Sequence, residues 1–453
     1  MTRYPNRRYV PRTVHIIGAG LAGTESAWQA ARAGIRTVLY EMRPMSTTAA
    51  HKTDQMAELV CSNSLKSESE NSAPWLLKQE LRKLDSLAMK AAAKARVPGG
   101  HALTVDRELF AREITRAIHA EPLIEVRREE VREVPRGEIV VIASGPLTSD
   151  ALAEDIGRVT GASRLFFYDS ISPIVDAESV DLSIAFRASR YGKSLDGTDD
   201  YLNCPFTKEE YERFIEALSS AQTYDSKIEG DVPYFEACLP IEEICRRGPD
   251  TLRFGPMKPV GLTDPRTGRW PYAAVQLRQE NARADSYNLV GFQNHMKYAE
   301  QARIFRMIPG LQNAEFLRYG QIHRNTYINA PALLEPTLCL RTQPNIFFAG
   351  QISGVEGYTE SIATGLIAGC NAAAVAAGEP VRAYPRATAL GSLCAYVSSA
   401  DPKDYQPANI TFDLLPSLDD ATKRILRHDK KARHAEVCRR AIVALDEFRA
   451  VPA

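Results

Sequence analysis

Two cysteines stand in surroundings that suit a reactive thiolate. Cys238 precedes Pro240 and Glu243 in YFEACLPIEEICRRG. A proline at the first helical position followed by an early glutamate predicts a helix that begins just after Cys238. The partial positive charge of a helix N-terminus favours the thiolate, which is the nucleophilic form of cysteine. Cys245 lies within the same predicted helix, and we expect it to pack in the core.

Cys61 follows the short apolar run of AELVCSNSLKS, and the small polar residues Ser62, Asn63 and Ser64 come directly after it. These residue types are preferred at helix N-caps, so they predict a helix that begins near Ser64, with Cys61 beside its N-terminus. For both cysteines the alternative is a packing role, because an unpaired cysteine behaves as a small apolar residue.

The elements that would place a cofactor beside these thiols lie near the N-terminus. Residues 14–17 (VHII) read as a strand, residues 24–33 as a helix, and residues 37–40 (TVLY) as a second strand closed by Glu41. The turn between the first strand and the helix has the sequence GAGLAG. This order of strand, glycine-rich turn, helix, strand and acid is the dinucleotide-binding pattern.

Each glycine of the pattern has its own physical reason. Gly18 makes the turn, Gly20 lets the backbone approach a pyrophosphate, and Gly23 lets the helix pack on the strand. We expect Glu41 to accept hydrogen bonds from the adenosine ribose. The predicted phosphate loop comprises Gly18, Ala19, Gly20, Leu21, Ala22 and Gly23.

Two later segments favour FAD over other dinucleotides. Residues 138–145 (EIVVIASG) and 345–350 (NIFFAG) read as strands, and the second leads through a glycine-rich turn into a helix predicted near 360–374. Distant strands that return to one nucleotide site are typical of glutathione-reductase-like flavoproteins. The alternative is that they are only buried parallel strands. Gly350, Gln351 and Tyr358 are further cofactor-binding candidates, with Gln351 where many such flavoproteins carry aspartate.

These patterns predict an α/β protein with a glutathione-reductase-like FAD-binding Rossmann domain and an inserted α+β domain. We expect a discontinuous FAD-binding domain of residues 1–160 and 320–385, and an insertion of residues 161–319 that holds the substrate. Residues 386–453 read as a mostly helical C-terminal segment. The sequence has no second G-x-G-x-x-G and no C-x-x-C, which argues against a built-in NAD(P) domain and against a disulfide reductase.

The chain has 453 residues and a formal net charge of zero, so any RNA site must be a local patch. The candidates are the region of Arg246, Arg247, Lys258 and Arg266 and the basic segment 423–440, whose alternative is a solvated helix face. Eight scattered cysteines without metal-ligand spacing indicate a reducing compartment and no metal site. The polar N-terminus and the lack of a long apolar run predict a cytoplasmic protein without a membrane span.

Several motifs together resemble the TrmFO family of folate- and FAD-dependent tRNA (uracil-5-)-methyltransferases, over about residues 14–413. They are VHIIGAGLAGTESAWQAARAGIRTVLYEMRP, AELVCSNSLKS, DYLNCPF, YFEACLPIEEICRRG, FGPMKPVGL, HRNTYINAP and AGQISGVEGYTESIATG. The resemblance implies transfer of a one-carbon unit from 5,10-methylenetetrahydrofolate to C5 of the uridine at position 54, in the T-arm of tRNA. Reduced FAD would supply the electrons and NAD(P)H would re-reduce it. No stable protein partner is implied.

The resemblance also implies roles for single residues. The Cys238 thiolate would add to C6 of the uracil, which makes C5 nucleophilic. Cys61 would assist proton transfer at C5 or release of the base. The folate pterin would stack on the flavin, with His295 or His323 as the other face of the sandwich and Tyr358 as a flavin neighbour. For each histidine the alternative is a structural role.

Three other functions stay open on the sequence alone. The same chemistry on ribosomal RNA is the nearest of them. A second is an NAD(P)H-dependent flavin oxidoreductase that acts on a small molecule, without folate or RNA. The third is a non-catalytic binding module that FAD merely stabilises.

Overall fold

The computed structural model of the protein describes residues 12–48, 50–161, 165–224 and 239–451, with the backbone alone for 165–170 and 322–324. The strands, in chain order, are β1 (Val14–Ile17), β2 (Thr37–Tyr40), β3 (Ser64–Ser67), β4 (Arg96–Val97), β5 (Ala102–Val105), β6 (Ile124–Arg127), β7 (Ile139–Ile142), β8 (Leu165–Ser170), β9 (Ile174–Asp176), β10 (Phe186–Arg187), β11 (Tyr201–Phe206), β12 (Ala273–Gln279), β13 (Ser286–Leu289), β14 (Phe316–Arg318), β15 (Ile322–Tyr327), β16 (Cys339–Leu340) and β17 (Gln343–Phe348).

The helices, in the same order, are α1 (Leu21–Arg32), α2 (Ala73–Lys83), α3 (Leu87–Lys94), α4 (Arg107–Ala120), α5 (Asp150–Thr160), α6 (Lys208–Ser219), α7 (Ile241–Arg246), α8 (Thr251–Phe254), α9 (Tyr298–Phe305), α10 (Ala330–Leu333), α11 (Tyr358–Ala377), α12 (Ala389–Ser399), α13 (Asp420–Ile425) and α14 (Lys430–Ala450). The predicted strands at 14–17 and 37–40 and the predicted helices after each glycine-rich turn are confirmed.

A six-stranded sheet in the order β16-β17-β7-β1-β2-β6 draws strands from both ends of the chain. β1 pairs in parallel with β2 and β7, and β17 pairs in parallel with β7. β2 and β7 are buried along their whole length, as parallel strands are when helices cover both faces of a sheet. The carboxyl ends of β1, β7 and β17 therefore meet at one edge, where ligands bind in such sheets.

A second sheet, of mainly antiparallel strands, lies between these two parts of the chain in sequence. Its order is β10-β11-β12-β13-β9-β14, and one face packs on α6, α7 and α9 in a hydrophobic core separate from that of the first sheet. The antiparallel ribbon of β8 and β15 connects the two parts.

The helix predicted to begin near Ser64 is wrong. Ser64–Ser67 form strand β3, and the helix begins only at Ala73, where Ser72 accepts the Trp75 N–H at 3.3 Å. The hydroxyls of Ser62 and Ser64 instead accept the backbone N–H groups two residues further on, at 3.1 and 3.2 Å. Such local bonds compete with helix formation. Pro74, near the start of α2, favours the later start of the helix.

Helix α11 packs against α1 at very short range. A Cβ placed on Gly365 or Gly369 would lie 2.3 Å from the Ala22 carbonyl oxygen or 2.5 Å from that of Ser26. Among the described residues, α11 alone is long and apolar enough by composition to cross a membrane, with a mean hydropathy of 1.3. Because 72% of that stretch is buried inside the fold, it is a core helix that carries its N-terminus to the sheet edge.

Candidate active site

The three glycines of the first turn are required for different reasons. Gly18 has φ of +100°, and a Cβ there would lie 2.6 Å from the Ala143 carbonyl oxygen. A Cβ on Gly23 would lie 1.7 Å from the Gly18 carbonyl oxygen. A Cβ on Gly20 would meet nothing within 4 Å. Packing thus requires glycine at positions 18 and 23, whereas Gly20 borders open space at the N-terminus of α1.

That space is a cleft of about 1070 Å³, counted with its open mouth. Its walls come from the glycine turn, the ends of β2, β7 and β17, and the start of α11. Most of the predicted cofactor-binding residues line it: Gly18, Gly20, Leu21, Ala22, Glu41, Gly350, Gln351 and Tyr358. Ala19 and Gly23 lie behind this surface.

Glu41 closes one end of the cleft and is held by Arg43. Its carboxylate accepts the Arg43 Nε–H at 2.9 Å and the Ala19 backbone N–H at 3.2 Å. Burial acts to raise the pKa of Glu41, but the hydrogen bonds and charge of Arg43 outweigh it and the pKa is lowered. Glu41 is therefore an ionised acceptor at neutral pH. The sequence analysis missed Arg43, which also pairs with Glu58 at 3.1 Å.

The turn after β17 also lines the cleft, through Gly350 and Gln351. Gly350 has φ of +79°, and its N–H donates to Thr364 Oγ1 of α11 at 2.9 Å. The side-chain amide of Gln351 donates to the Glu356 carboxylate at 2.6 Å. A carboxylate therefore lies next to Gln351, the position where many such flavoproteins carry aspartate, although it belongs to Glu356, to which no sequence pattern pointed.

These features fit an adenine dinucleotide. Gly20 leaves room for a pyrophosphate, the unpaired N–H groups at the start of α1 suit phosphate oxygens, and Glu41 is an ionised acceptor for ribose hydroxyls. The cleft then continues to Gln351 and Tyr358, so a cofactor with a second ring system at its far end is accommodated.

The Cys61 loop is bound to the start of α11 at this cleft. The Tyr358 hydroxyl accepts the backbone N–H groups of Cys61 at 2.8 Å and of Ser62 at 3.1 Å. Burial raises the pKa of Tyr358, so the hydroxyl stays protonated. Val60 also lines the cleft. The structure thus brings Cys61 and Tyr358 together.

Three arginines from distant elements hold the same loop. Arg318 donates to the carbonyls of Val60 at 3.0 Å and Cys61 at 3.3 Å. Arg107 donates to the carbonyls of Leu59 at 2.7 Å and Cys61 at 3.4 Å. They come from β14 and from the first turn of α4, so both parts of the molecule fix the thiol loop.

Arg278 of β12 completes the arrangement through side chains. Its Nε–H donates to Asn63 Oδ1 and its Nη2 to Ser62 Oγ, both at 2.9 Å. The Asn63 amide in turn donates to the Val105 carbonyl at 3.0 Å and the Gln279 carbonyl at 2.8 Å. Asn63 is fully buried, so the residue that looked like an N-cap joins the two parts of the molecule.

The electrostatic result is an excess of positive charge around Cys61. Burial lowers the pKa of Arg318 to about 10 and also lowers that of Arg278, yet both remain cations at neutral pH. Glu280 pairs with Arg107, with the Nε to carboxylate distance at 2.5 Å. Such surroundings favour an anion, and a thiolate is the reactive form of cysteine.

The other proposed thiol cannot be placed in the same way, because Cys238 lies outside the described residues. The helix that follows it, α7, begins at Ile241 with Pro240 as its N-cap, one position later than predicted. Cys245 is buried in α7, with its Sγ 3.8 Å from the Ile215 carbonyl oxygen. It is therefore a core residue, as expected.

Of the two candidate histidines, the structure describes the side chain of His295, which is not among the residues that line the cleft. His295 is buried, and its Nδ1 lies 2.7 Å from the Glu242 carboxylate at the start of α7. This contact holds His295 against the start of α7, and its stacking on a pterin stays a prediction. His323 lies on β15, opposite Asp169 of β8, and its side chain is outside the described part of the chain.

The chain is similar to known proteins over most of its length. The family model described as "Glucose inhibited division protein A" matches residues 13–380. A methylenetetrahydrofolate--tRNA-(uracil-5-)-methyltransferase TrmFO of Solibacter usitatus is 70% identical over 97% of this chain and 99% of the relative. That of Koribacter versatilis is 63% identical over 96% of this chain and 97% of its own length.

Solved structures show the same fold at low identity. GidA of Aquifex aeolicus aligns in its form I crystal with a TM-score of 0.67 and 17% identity, over 97% of this chain and 78% of that protein. The form II crystal gives 0.66 and 16%. The predicted fold class is confirmed. From the near full-length identity to curated relatives, the chain belongs to the TrmFO family of methylenetetrahydrofolate--tRNA-(uracil-5-)-methyltransferases.

Proposed function

We propose that the protein transfers a one-carbon unit from 5,10-methylenetetrahydrofolate to C5 of a uracil in tRNA, with FAD bound in the cleft. One observation carries the proposal: the loop that bears Cys61 is bound through its backbone to Tyr358, at the wall of the cofactor cleft. A thiol beside a redox cofactor suits a reaction that needs both. The names of the relatives at 70% and 63% identity support the same reaction.

The electron balance explains the need for a flavin. A methylene carbon becomes a methyl group by gaining two electrons and a proton, while C5 of the uracil loses its proton. Bound FAD supplies the two electrons in its reduced form, and we propose that NAD(P)H restores them.

The residues of the cleft have binding roles in this proposal. Gly20 admits the pyrophosphate, Glu41 accepts the ribose hydroxyls, and Tyr358 orients the Cys61 loop toward the cofactor. The positive charge of Arg107, Arg278 and Arg318 then favours an anion on the loop. The same charge offers stabilisation to the enolate that forms on the uracil ring.

We assign the two thiols different steps. Cys238, just before α7, adds as thiolate to C6 of the uracil and makes C5 nucleophilic. Cys61 takes part in removing the C5 proton or in releasing the base. The role assigned to Cys61 is supported by the geometry of its loop. The role assigned to Cys238 rests on its place in the sequence and on the family resemblance.

We further propose that the target is the uridine at position 54, in the T-arm of tRNA, and that the protein acts in the cytoplasm. The test is methylation by purified protein with isotopically labelled methylenetetrahydrofolate and NADH or NADPH, on tRNA and on ribosomal RNA. We expect label in 5-methyluridine at position 54 of tRNA only. Label in ribosomal RNA alone would redirect the substrate. Flavin turnover with small acceptors and no labelled RNA would contradict the proposal.

A further inference from the structure

A basic surface that the candidate active site does not use lies on α13, α14 and the turn between them. Its cations are close in sequence, and most of them are exposed. We call it the basic face and define it by Lys423, Arg424, Arg427, Lys430, Lys431 and Arg433.

The cations of the basic face are almost free of carboxylate partners within the described structure. Lys423 lies 3.6 Å from Asp420, and the other five have no ion pair with a described residue. In the alternative basic region of the insertion, at least two of the four cations are already paired. There Arg246 pairs with Glu243, and Arg266 pairs with Asp264 at 2.9 Å. Unpaired surface cations keep their full attraction for a polyanion, whereas paired ones have already lost most of it.

Residues 409–412 link α14, which carries part of the basic face, to β3 and α11, the elements next to the Cys61 loop. His434 of α14 stacks on Phe412 with ring centroids 3.9 Å apart. Ile410 donates its N–H to Glu360 at 3.1 Å, and Asn409 accepts from Lys66. Residues 409–412 span at most about 10 Å of chain. The same helix α11 binds the Cys61 loop through Tyr358, so a chain of contacts joins the basic face to that loop.

We propose that the basic face binds the phosphate backbone of the tRNA stem next to the modified loop. This inference rests on the proposed function, since it takes tRNA as the substrate. It adds a surface for the stem that is separate from the site of chemistry. Loss of its cations should therefore weaken RNA binding without changing the methylation step.

The test compares two double variants of the flavin-loaded protein. Lys430→Gln/Lys431→Gln removes two unpaired cations at the start of α14. Arg439→Gln/Arg449→Gln is the matched control, because it removes two charges from the same helix whose cations pair with Glu436 and Asp446. Affinity for a T-arm tRNA transcript is measured between about 50 and 200 mM salt, the range over which phosphate contacts lose strength. KM and kcat for methylation are measured on the same samples.

We expect Lys430→Gln/Lys431→Gln to bind tRNA roughly 10- to 30-fold more weakly near physiological salt and to show a salt slope shallower by about 1.8, as the loss of two phosphate contacts to a duplex predicts. KM for tRNA rises, while kcat and flavin content stay the same. The control changes affinity less than about threefold, as expected for paired surface charges.

Equal affinity and equal salt slope in both double variants would overturn the inference and leave the proposed function intact. Binding that depends on Lys430 and Lys431 without any methylation would support the inference and overturn the proposed function. Loss of binding to anionic vesicles, with tRNA binding unchanged, would assign the basic face to a membrane surface and contradict the proposal.

Discussion

The glycine turn and the Cys61 loop meet at one cleft, but different parts of the chain determine their shapes. In the glycine turn, Gly18 and Gly23 contact each other across five positions, and Gly20 between them faces the open cleft. The Cys61 loop is held by Arg107, Arg278 and Arg318, which are 46 to 257 positions away from Cys61 in sequence.

The glycine turn and the Cys61 loop should therefore respond differently to substitution. A change within the glycine turn affects the cofactor directly, since the turn is the cofactor's binding surface. A change in an arginine affects chemistry through the position of the loop and leaves the cofactor bound. Variants in each region should therefore fail in distinguishable ways.

The largest effect is expected from Gly20→Val. The new side chain meets no protein atom within 4 Å of its Cβ, so the fold tolerates it, but it occupies the space of the pyrophosphate. We expect colourless protein, with affinity for FAD reduced by more than about a hundredfold, or about 3 kcal/mol. The flavin content is measured by the absorbance of the purified protein and by the flavin that is released on denaturation.

Gly23→Ala is the contrasting control. Its Cβ would lie 1.7 Å from the Gly18 carbonyl oxygen, so it should lower the free energy of unfolding by at least about 1 to 3 kcal/mol. Gly20→Val should melt like wild-type protein stripped of flavin. A yellow, folded Gly20→Val protein would show that the pyrophosphate lies elsewhere.

A trapping experiment with tRNA that contains 5-fluorouridine should distinguish the roles of the two thiols. Fluorine cannot leave C5 as a proton does, so the covalent adduct should persist on a denaturing gel. Cys238→Ala should abolish both the adduct and methylation. Cys61→Ala should retain or accumulate the adduct while turnover stops, because addition at C6 needs only the Cys238 thiolate. Flavin content should stay normal in both variants.

The reverse pattern, with trapping by Cys238→Ala and none by Cys61→Ala, would exchange the assigned roles. Loss of the adduct in both variants would contradict the separation of steps, and peptide mapping of the wild-type adduct would identify the bonded sulfur.

Arg278→Lys should lower methylation by about 10- to 100-fold with normal flavin content, a typical cost for a displaced reacting group. Arg278 uses two separate nitrogens for Asn63 and Ser62, and a lysine ammonium cannot reproduce that planar geometry. Arg187→Lys on β10, two strands away in the same sheet, is the control, since within the described structure Arg187 donates only to the Tyr287 hydroxyl. Equal activity of the two variants would mean that the loop does not depend on Arg278.

The smallest effect concerns Glu80, another residue with distant partners. Its two carboxyl oxygens accept the N–H groups of Ala389 at 2.7 Å and Leu390 at 2.9 Å, and burial raises its pKa from 4.5 to about 8. The folded state therefore holds its proton where the unfolded state has lost it. This contribution to stability is complete below pH 4.5 and is lost as the pH rises to about 8.

Glu80→Gln should remove that pH dependence, because the amide has no proton to lose. We expect the melting temperature of wild-type protein to fall by a few degrees more than that of the variant between pH 5 and pH 8, measured by thermal unfolding. Parallel curves for the two proteins would show that Glu80 does not titrate in this range.

The sequence alone predicted those features that depend on residues close to one another in the chain. The dinucleotide pattern predicted β1, α1 and β2, and it placed Gly20 and Glu41, because each depends on neighbours within a few positions. Arg43 was missed although it is close to Glu41 in sequence, since nothing in the pattern shows that its side chain folds back onto the carboxylate.

The residues around Cys61 could not be predicted in this way. Ser62, Asn63 and Ser64 have the composition of an N-cap, and only the three-dimensional contact with Arg278 shows that they form an anchor. The contact of His295 with Glu242, 53 positions away, is likewise not visible in the sequence. Long-range pairing of this kind leaves no periodic signal in the sequence.

The coupling of methylation to flavin oxidation is best measured in a single turnover without oxygen. Protein whose flavin has been reduced by NADH and freed of excess NADH is mixed with methylenetetrahydrofolate and tRNA, and oxidised flavin and 5-methyluridine are both measured. We expect one 5-methyluridine for each flavin oxidised, and neither product when tRNA is omitted. Methylation without flavin oxidation, or flavin oxidation by methylenetetrahydrofolate with no methylated uridine, would contradict this coupling.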